Sequence, residues 1–171
     1  GADLIVELPV QWAAASAERF ARGGVALLAA AGATRLAFGS EAGALSGLAQ
    51  AAAALDSDGF SQVLQPYLKE GLSFASARQK ALGQLLGPAA AVLETPNNLL
   101  GIEYLRAIRS LAPEMEPFTV PRVGAAHHST AEQAGFRSAT ALRSLLLDGA
   151  LEEACGGMPE PAAEILRREW E

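Results

Sequence analysis

Apolar and polar positions alternate in blocks along this chain, and the blocks have two different periods. Leu4-Ile5-Val6-Glu7-Leu8 is a short, nearly all-apolar run closed by Pro9, and Thr34-Arg35-Leu36-Ala37-Phe38 is a second one ending in Gly39-Ser40-Glu41. Runs of this kind suit strands buried on both faces of a parallel sheet. Between them Ser16 predicts the cap of a helix over Ala17 to Ala31, with Phe20, Gly24, Leu27 and Ala31 at helical spacing and Gly32 as the stop. The Gly23-Gly24 pair weakens that helix and lets a neighbour pack closely. Strand, helix and strand in this order make a βαβ unit with a right-handed crossover.

The helical period continues downstream. Leu45, Leu48, Ala49, Ala52 and Leu55 share one face, and Asp56-Ser57-Asp58-Gly59 is turn chemistry. Phe60 to Leu86 predicts two helices, broken at Gly71-Leu72-Ser73, with Ser73 capping the second. Thr95-Pro96-Asn97-Asn98 opens a helix from Leu99 to Leu111, and Phe118 to Val123 reads as a further strand that Pro121 keeps short or at an edge. Gly124 to Gly135 reads as a loop, Ala139 to Leu147 as a helix stopped by Asp148-Gly149, and Pro161 to Glu171 as a charged amphipathic tail. The expectation is a three-layer α/β fold with Leu4–Leu8, Leu36–Phe38 and Phe118–Val123 as parallel neighbours. Residues 1–149 would form its central part and 150–171 a helical tail.

Composition narrows the class. Of the 171 residues 50% are hydrophobic and 19% charged, so the chain folds around a core of its own. A net charge of −6 gives no global attraction for nucleic acid, so any RNA partner needs a local basic surface or one outside these residues. Cys155 is the lone cysteine, which excludes a disulfide framework and points to a reducing compartment. No apolar run is long enough to span a membrane as a helix, and no signal peptide is visible; the expectation is a cytoplasmic protein. The chain starts at Gly1 and enters an apolar run almost at once, which reads as the interior of a longer protein.

Candidate chemistry concentrates at strand ends and helix starts. In open parallel sheets ligands bind beyond the carboxyl ends of the strands, here Pro9, Gly39-Ser40-Glu41 and Arg122-Val123-Gly124. Gly39 would let a nucleotide ring or ribose approach the backbone, or it is a plain turn glycine. Asn97 or Asn98 is an amide that reads a purine edge or ribose hydroxyl, or simply a helix cap. Arg122 holds a phosphate or stacks on a base, or is an exposed arginine. Ser138 caps a helix whose start offers unpaired N–H groups, the Thr140 hydroxyl and, one turn on, Arg143. That is a natural phosphate site, or an ordinary capped helix with Leu142, Leu145 and Leu146 inward. His127-His128 has no metal-ligand spacing around it, and no phosphate loop of the G-x-x-x-x-G-K type, dinucleotide fingerprint or nucleophile elbow is present.

Four motifs in order carry a resemblance: Ala2-Asp3-Leu4-Ile5-Val6-Glu7-Leu8-Pro9, Phe38-Gly39-Ser40-Glu41, Pro96-Asn97-Asn98-Leu99-Leu100-Gly101 and Ser138-Ala139-Thr140-Ala141-Leu142-Arg143. Together they resemble the tRNA(Met) cytidine acetate ligase family of the nucleotidyltransferase-like group. The resemblance implies a Rossmann-like parallel sheet flanked by helices, ATP as substrate with Mg²⁺, acetate as the second substrate and elongator tRNA(Met) as RNA partner. It implies formation of acetyl-adenylate and then of N4-acetylcytidine at the wobble position. Gly39, Asn97 and Arg122 fall where the family binds ATP, and Ser138, Thr140 and Arg143 match a second phosphate-binding signature of the wider group. The family's N-terminal His-x-Gly-His motif is absent from these residues, and much of its C-terminal helical region is missing too. The chain therefore reads as an interior piece, inactive alone. Two alternatives stay open: another adenylyl- or cytidylyltransferase of the same fold, and a catalytically inactive nucleotide-binding or interaction domain.

Overall fold

A computed structural model describes residues 2–122 and 138–170. The chain divides into two compact units, 1–122 and 123–171.

The first unit is a helix-rich α/β layer around a parallel strand pair. Its order is α1 (Val10–Ala13), α2 (Ala17–Ala30), β1 (Arg35–Ser40), α3 (Leu45–Leu55), α4 (Asp58–Lys69), α5 (Phe74–Leu86), a 3-10 segment (Gly87–Glu94), α6 (Pro96–Leu111) and β2 (Glu116–Pro121). Strands β1 and β2 pair in parallel, with Gly39 opposite Val120 and Ser40 opposite Pro121. Helix α6 leads into β2 and returns the chain along β1. Its first turn therefore lies at the carboxyl ends of both strands, where an open sheet of this kind keeps its site.

Helix α6 is the central element of the unit. It packs on α2, on α3 and on β1. A Cβ placed on Gly101 would come within 2.7 Å of the Phe38 ring, so the glycine sets the closeness of helix and strand. On one side Leu36, Val25, Ala107, Ile108 and Met115 form a core between α2, β1 and α6. On the other, Leu48, Leu55, Phe60, Leu64, Leu82 and Ile102 form a larger one under α3, α4 and α5. Leu36 and Ser40 of β1 are buried and Phe38 half-buried, while Phe118 and Val120 on the opposite face of the sheet are exposed. Such alternation is what a strand with one covered face shows.

The helices follow their local signals. Ser73 caps α5, its hydroxyl accepting the Ser76 N–H at 3.3 Å, and Gly71 turns the chain before it with φ +83°. Helix α2 ends at Gly32, φ +80°, as its stop signal implies. Gly23 admits Trp12 of α1, whose side chain lies 2.6 Å from where a Cβ would stand; Gly24 has nothing within 4 Å among the described residues. Helix α6 starts at Pro96, three positions before Leu99, because proline in the first turn lacks only an N–H that a helix start leaves unused.

Leu4–Leu8 is not a strand. No strand among the described residues lies beside it, so its apolar pattern has no ladder to join, and Leu4 and Ile5 are 72% and 85% exposed. The segment instead borders an apolar cavity of about 480 Å³, shared with Phe20 and Leu27 of α2, Leu36 of β1 and Tyr104 of α6. Pro9 accordingly is the residue before α1 and not the end of a strand. The described sheet is a pair, not a trio, and the βαβ unit it contains is β1–α6–β2.

In the second unit α7 (Ala139–Leu147), α8 (Leu151–Cys155) and α9 (Glu160–Glu169) follow one another, α8 packing on both neighbours. Cys155 and Ala163 are buried, and Arg167 of α9 bonds Glu152 of α8 at 3.1 Å and Glu160 at 3.0 Å. The loop expected over Gly124 to Gly135, with His127 and His128, lies outside the described residues.

Candidate functional site

The carboxyl end of β1 is built by hydrogen bonds that leave little slack. Thr119 of β2 donates to the Phe38 carbonyl at 3.1 Å and lies 2.8 Å from the Ser40 hydroxyl, both residues being buried. Ser40 Oγ accepts the Gly43 N–H at 3.0 Å, and Gly43 takes a positive φ of +63° to make the turn. The Arg122 N–H extends the ladder to the Ser40 carbonyl at 2.9 Å.

Gly39 is not a turn glycine. It lies inside β1 with no positive φ, and among the described residues a Cβ there would meet only the Arg122 side chain, at an ordinary 3.5 Å. Among the described residues neither backbone nor packing demands glycine, so the space it leaves beside Arg122 is open to a ligand there. Arg122 is exposed, and among the described residues its guanidinium has no hydrogen-bond or carboxylate partner.

Neither asparagine caps α6. Thr95 holds that position without a side-chain bond, and both amides lie inside the first turn. Asn98 is buried and accepts the Ala42 N–H at 2.9 Å, a structural brace for the loop after β1. Asn97 is half-buried; its Nδ2 donates to Glu41 Oε1 at 2.6 Å, while Glu41 Oε2 accepts the Asn98 N–H at 2.9 Å. Glu41 thus occupies the anion position at the start of α6 and caps it from another element. Burial pushes the Glu41 carboxyl up, but the Asn97 amide and the backbone N–H groups, that of Asn98 among them, outweigh it and hold the group below its ordinary value. The sequence names Glu41 at a strand end without a role. The signal that would have found it is a carboxylate at one strand end paired with a helix start that supplies no acidic cap of its own.

The α7 start is a capped helix. Ser138 Oγ accepts the Ala141 N–H at 3.0 Å. Arg143 is exposed, and its Nη2 donates back to the Thr140 hydroxyl at 3.3 Å, a contact that both the phosphate reading and an ordinary capped helix accommodate. Leu142, Leu145 and Leu146 are half-buried. These residues belong to the second unit, while Gly39, Asn97 and Arg122 belong to the first.

A charged cluster sits away from the strand ends. Glu103 of α6, 1% exposed, bonds Arg78 of α5 and, at 2.7 Å, Arg106, which also reaches Asp56 at 2.7 Å beside Arg109. Every carboxylate oxygen of Glu103 and Asp56 is answered by an arginine, so the cluster ties α3, α5 and α6 together. Among the described residues no group of three His, Cys, Asp or Glu could hold a metal ion, and no helix is long and apolar enough to cross a membrane.

The model of the HIGH nucleotidyl transferase family matches residues 1–171. The chain belongs to that family. It is 41% identical to the tRNA(Met) cytidine acetate ligase of Syntrophotalea carbinolica over 97% of its length, covering 40% of that protein. Against the enzyme of the same name from Alkaliphilus metalliredigens the identity is 40%, over 97% of the chain and 43% of the relative. Among solved structures it superposes on Thermotoga maritima TmcAL in an apo form, with TM-score 0.89, 35% identity and coverage of 99% of this chain and 42% of that one. A second TmcAL structure, bound with alpha-thio ATP, gives TM-score 0.84 and 34% identity over 99% of this chain and 41% of that one. The chain thus spans about two fifths of the length of these relatives. The nucleotidyltransferase-type α/β fold and the family resemblance read from the four motifs stand.

Proposed function

We propose that the protein carrying this chain is an ATP-dependent acetate–tRNA ligase. An acetate oxygen attacks the α-phosphorus of ATP, pyrophosphate leaves, and acetyl-adenylate remains. The N4 amine of the wobble cytidine of elongator tRNA(Met) then attacks the acetyl carbon, losing a proton as AMP departs and N4-acetylcytidine forms. The observation that carries the reading is the carboxyl edge of the strand pair, where Gly39 leaves room beside an Arg122 with no partner among the described residues. The ligase names of the relatives and the ATP analogue in the TmcAL structure support it.

In this reading Gly39 lets the nucleotide approach β1, Asn97 contacts its base or ribose, and Arg122 grips phosphate oxygens. Ser138, Thr140 and Arg143, which match a phosphate-binding signature of the wider group, are phosphate-binding candidates on the second unit. Magnesium enters as the chelate of its substrate ATP. The reading places the protein in the cytoplasm with its tRNA. Acetate-dependent exchange of label between pyrophosphate and ATP, followed by acetylation of a tRNA(Met) transcript, tests it on the native full-length protein. Adenylated product without any RNA requirement would favour another transferase, and ATP binding without exchange an inactive binding domain.

A further inference from the structure

The side-chain amide of Asn97 has one acceptor and one donor end, and its neighbour decides which of them faces outward. Glu41 offers only acceptors as a carboxylate, so the 2.6 Å contact to Asn97 can be made only by the NH₂ end. Glu41 itself cannot swing away freely. Its second oxygen is held by the Asn98 N–H at 2.9 Å, and the loop that follows it is braced by Asn98 Oδ1 on the Ala42 N–H, also at 2.9 Å. The carbonyl end of Asn97 is left over, and no donor among the described residues meets it. The same arrangement sets a carboxylate at the start of α6, where it disfavours a phosphate. Glu41 takes the Asn98 N–H, and Pro96 has none to give.

We infer that Glu41 is a positioning residue: it locks Asn97 with its carbonyl outward, so the site selects a nucleotide that presents a hydrogen-bond donor there. The exocyclic amine of a base such as adenine fits that description, because it only donates; a ribose hydroxyl can donate or accept and would meet either end of the amide. The inference rests on the nucleotide reading above and adds to it the polarity of one contact and the residue that sets it. Guanine and hypoxanthine, with a keto oxygen in place of the amine, would meet carbonyl with carbonyl. A site built to pair a donor rejects the analogue that lacks it, because a desolvated acceptor is then left without a partner.

The test is equilibrium binding of ATP, inosine triphosphate, 2′-deoxy-ATP and 3′-deoxy-ATP to the full-length protein, wild type and Glu41→Gln. The wild type should bind inosine triphosphate about tenfold more weakly than ATP, which identifies the donor as the amine, while the deoxy analogues serve as controls that either amide orientation tolerates. In Glu41→Gln the new amide offers a donor as well as an acceptor, so Asn97 is free to turn and that ratio should fall at least about threefold in a variant that still melts cooperatively. Uniform weakening of all four ligands at a constant ratio would mean that Glu41 only braces the loop, and the inference fails. Equal binding of all four by the wild type also overturns it. Absence of ATP binding in the wild type overturns the nucleotide reading itself. Should Glu41→Gln not fold, Glu41→Asp remains acceptor-only and must keep the ratio that Asn97→Ala loses; loss of the ratio in Glu41→Asp would overturn the inference.

Discussion

Glu41 shows how much a single loop residue can carry, and its titration makes that measurable. Its carboxyl sits below the ordinary 4.5 because the donors around it outweigh the burial that would raise it. A depressed folded-state value means that the stabilisation is complete above about pH 4.5 and is lost as pH falls through the folded value. Thermal melts of wild type and Glu41→Gln, taken from neutral pH down to about pH 3, should therefore differ at the upper end and converge at the lower. A gap that stays constant with pH would show that the carboxylate does not cap α6. Arg143 is the other residue with a distinct signature. Its guanidinium already lies over the first turn of α7, on the Thr140 hydroxyl. In the full-length enzyme Arg143→Lys keeps the charge and loses the fork, so it should lower turnover more than ATP affinity. Arg143→Ala should cost on the order of 3 kcal/mol of transition-state stabilisation, as losing one preorganised donor does. Steady-state kinetics with a melt as control decide it; unchanged kinetics would return α7 to an ordinary capped helix.

At the scale of elements, helices were legible and the sheet only partly so, for physical reasons. A helix satisfies its backbone within itself, so local signals such as Ser73, Ser138, Gly32 and Gly149 fix its ends. A strand needs a partner, and the apolar run Leu4–Leu8 has none among the described residues. The short helix α1, the 3-10 segment and α8 carry too few turns for periodicity to reveal them. The Arg78–Glu103–Arg106–Asp56 network was invisible because its partners meet only through the packing of α3, α5 and α6. Gly101, by contrast, stands inside a quoted motif, and its reason is now geometric. Gly101→Ala would set a methyl 2.7 Å from the Phe38 ring and 3.3 Å from Leu48, against a strand and a core that cannot both yield. Urea unfolding should show a loss of about 1–3 kcal/mol, the usual cost of overpacking, despite the gain in helix propensity. A neutral or stabilising result would mean that α6 can slide on β1.

At the scale of the whole molecule the candidate groups are spread over two compact units, Gly39, Asn97 and Arg122 in one and Ser138, Thr140 and Arg143 in the other. What the sequence alone could show of them was residue type at a strand end or helix start. Their assignment to ATP came from the order of the four motifs, and the hydrogen bonds that orient them, above all Glu41 on Asn97, depend on a crossover that brings residues far apart in sequence together. In the reading proposed above, the triphosphate of ATP carries more charge than these donors offset. In the first unit Arg122 is the candidate phosphate ligand, and in the second Thr140 and Arg143 stand at one helix start. The His-x-Gly-His motif that the family resemblance associates with phosphate binding does not occur in these 171 residues. Charge developing on the α-phosphorus and the leaving pyrophosphate would then be met by too few preorganised donors, and each missing one costs on the order of 3 kcal/mol, about a hundredfold in rate. The purified 171-residue chain should therefore show no acetate-dependent ATP–pyrophosphate exchange above background, while the full-length protein does. Exchange by the short chain at a rate near that of the full-length protein would place the whole phosphate-binding machinery within Arg122, Thr140, Arg143 and their neighbours, and would leave the missing motif without a catalytic part.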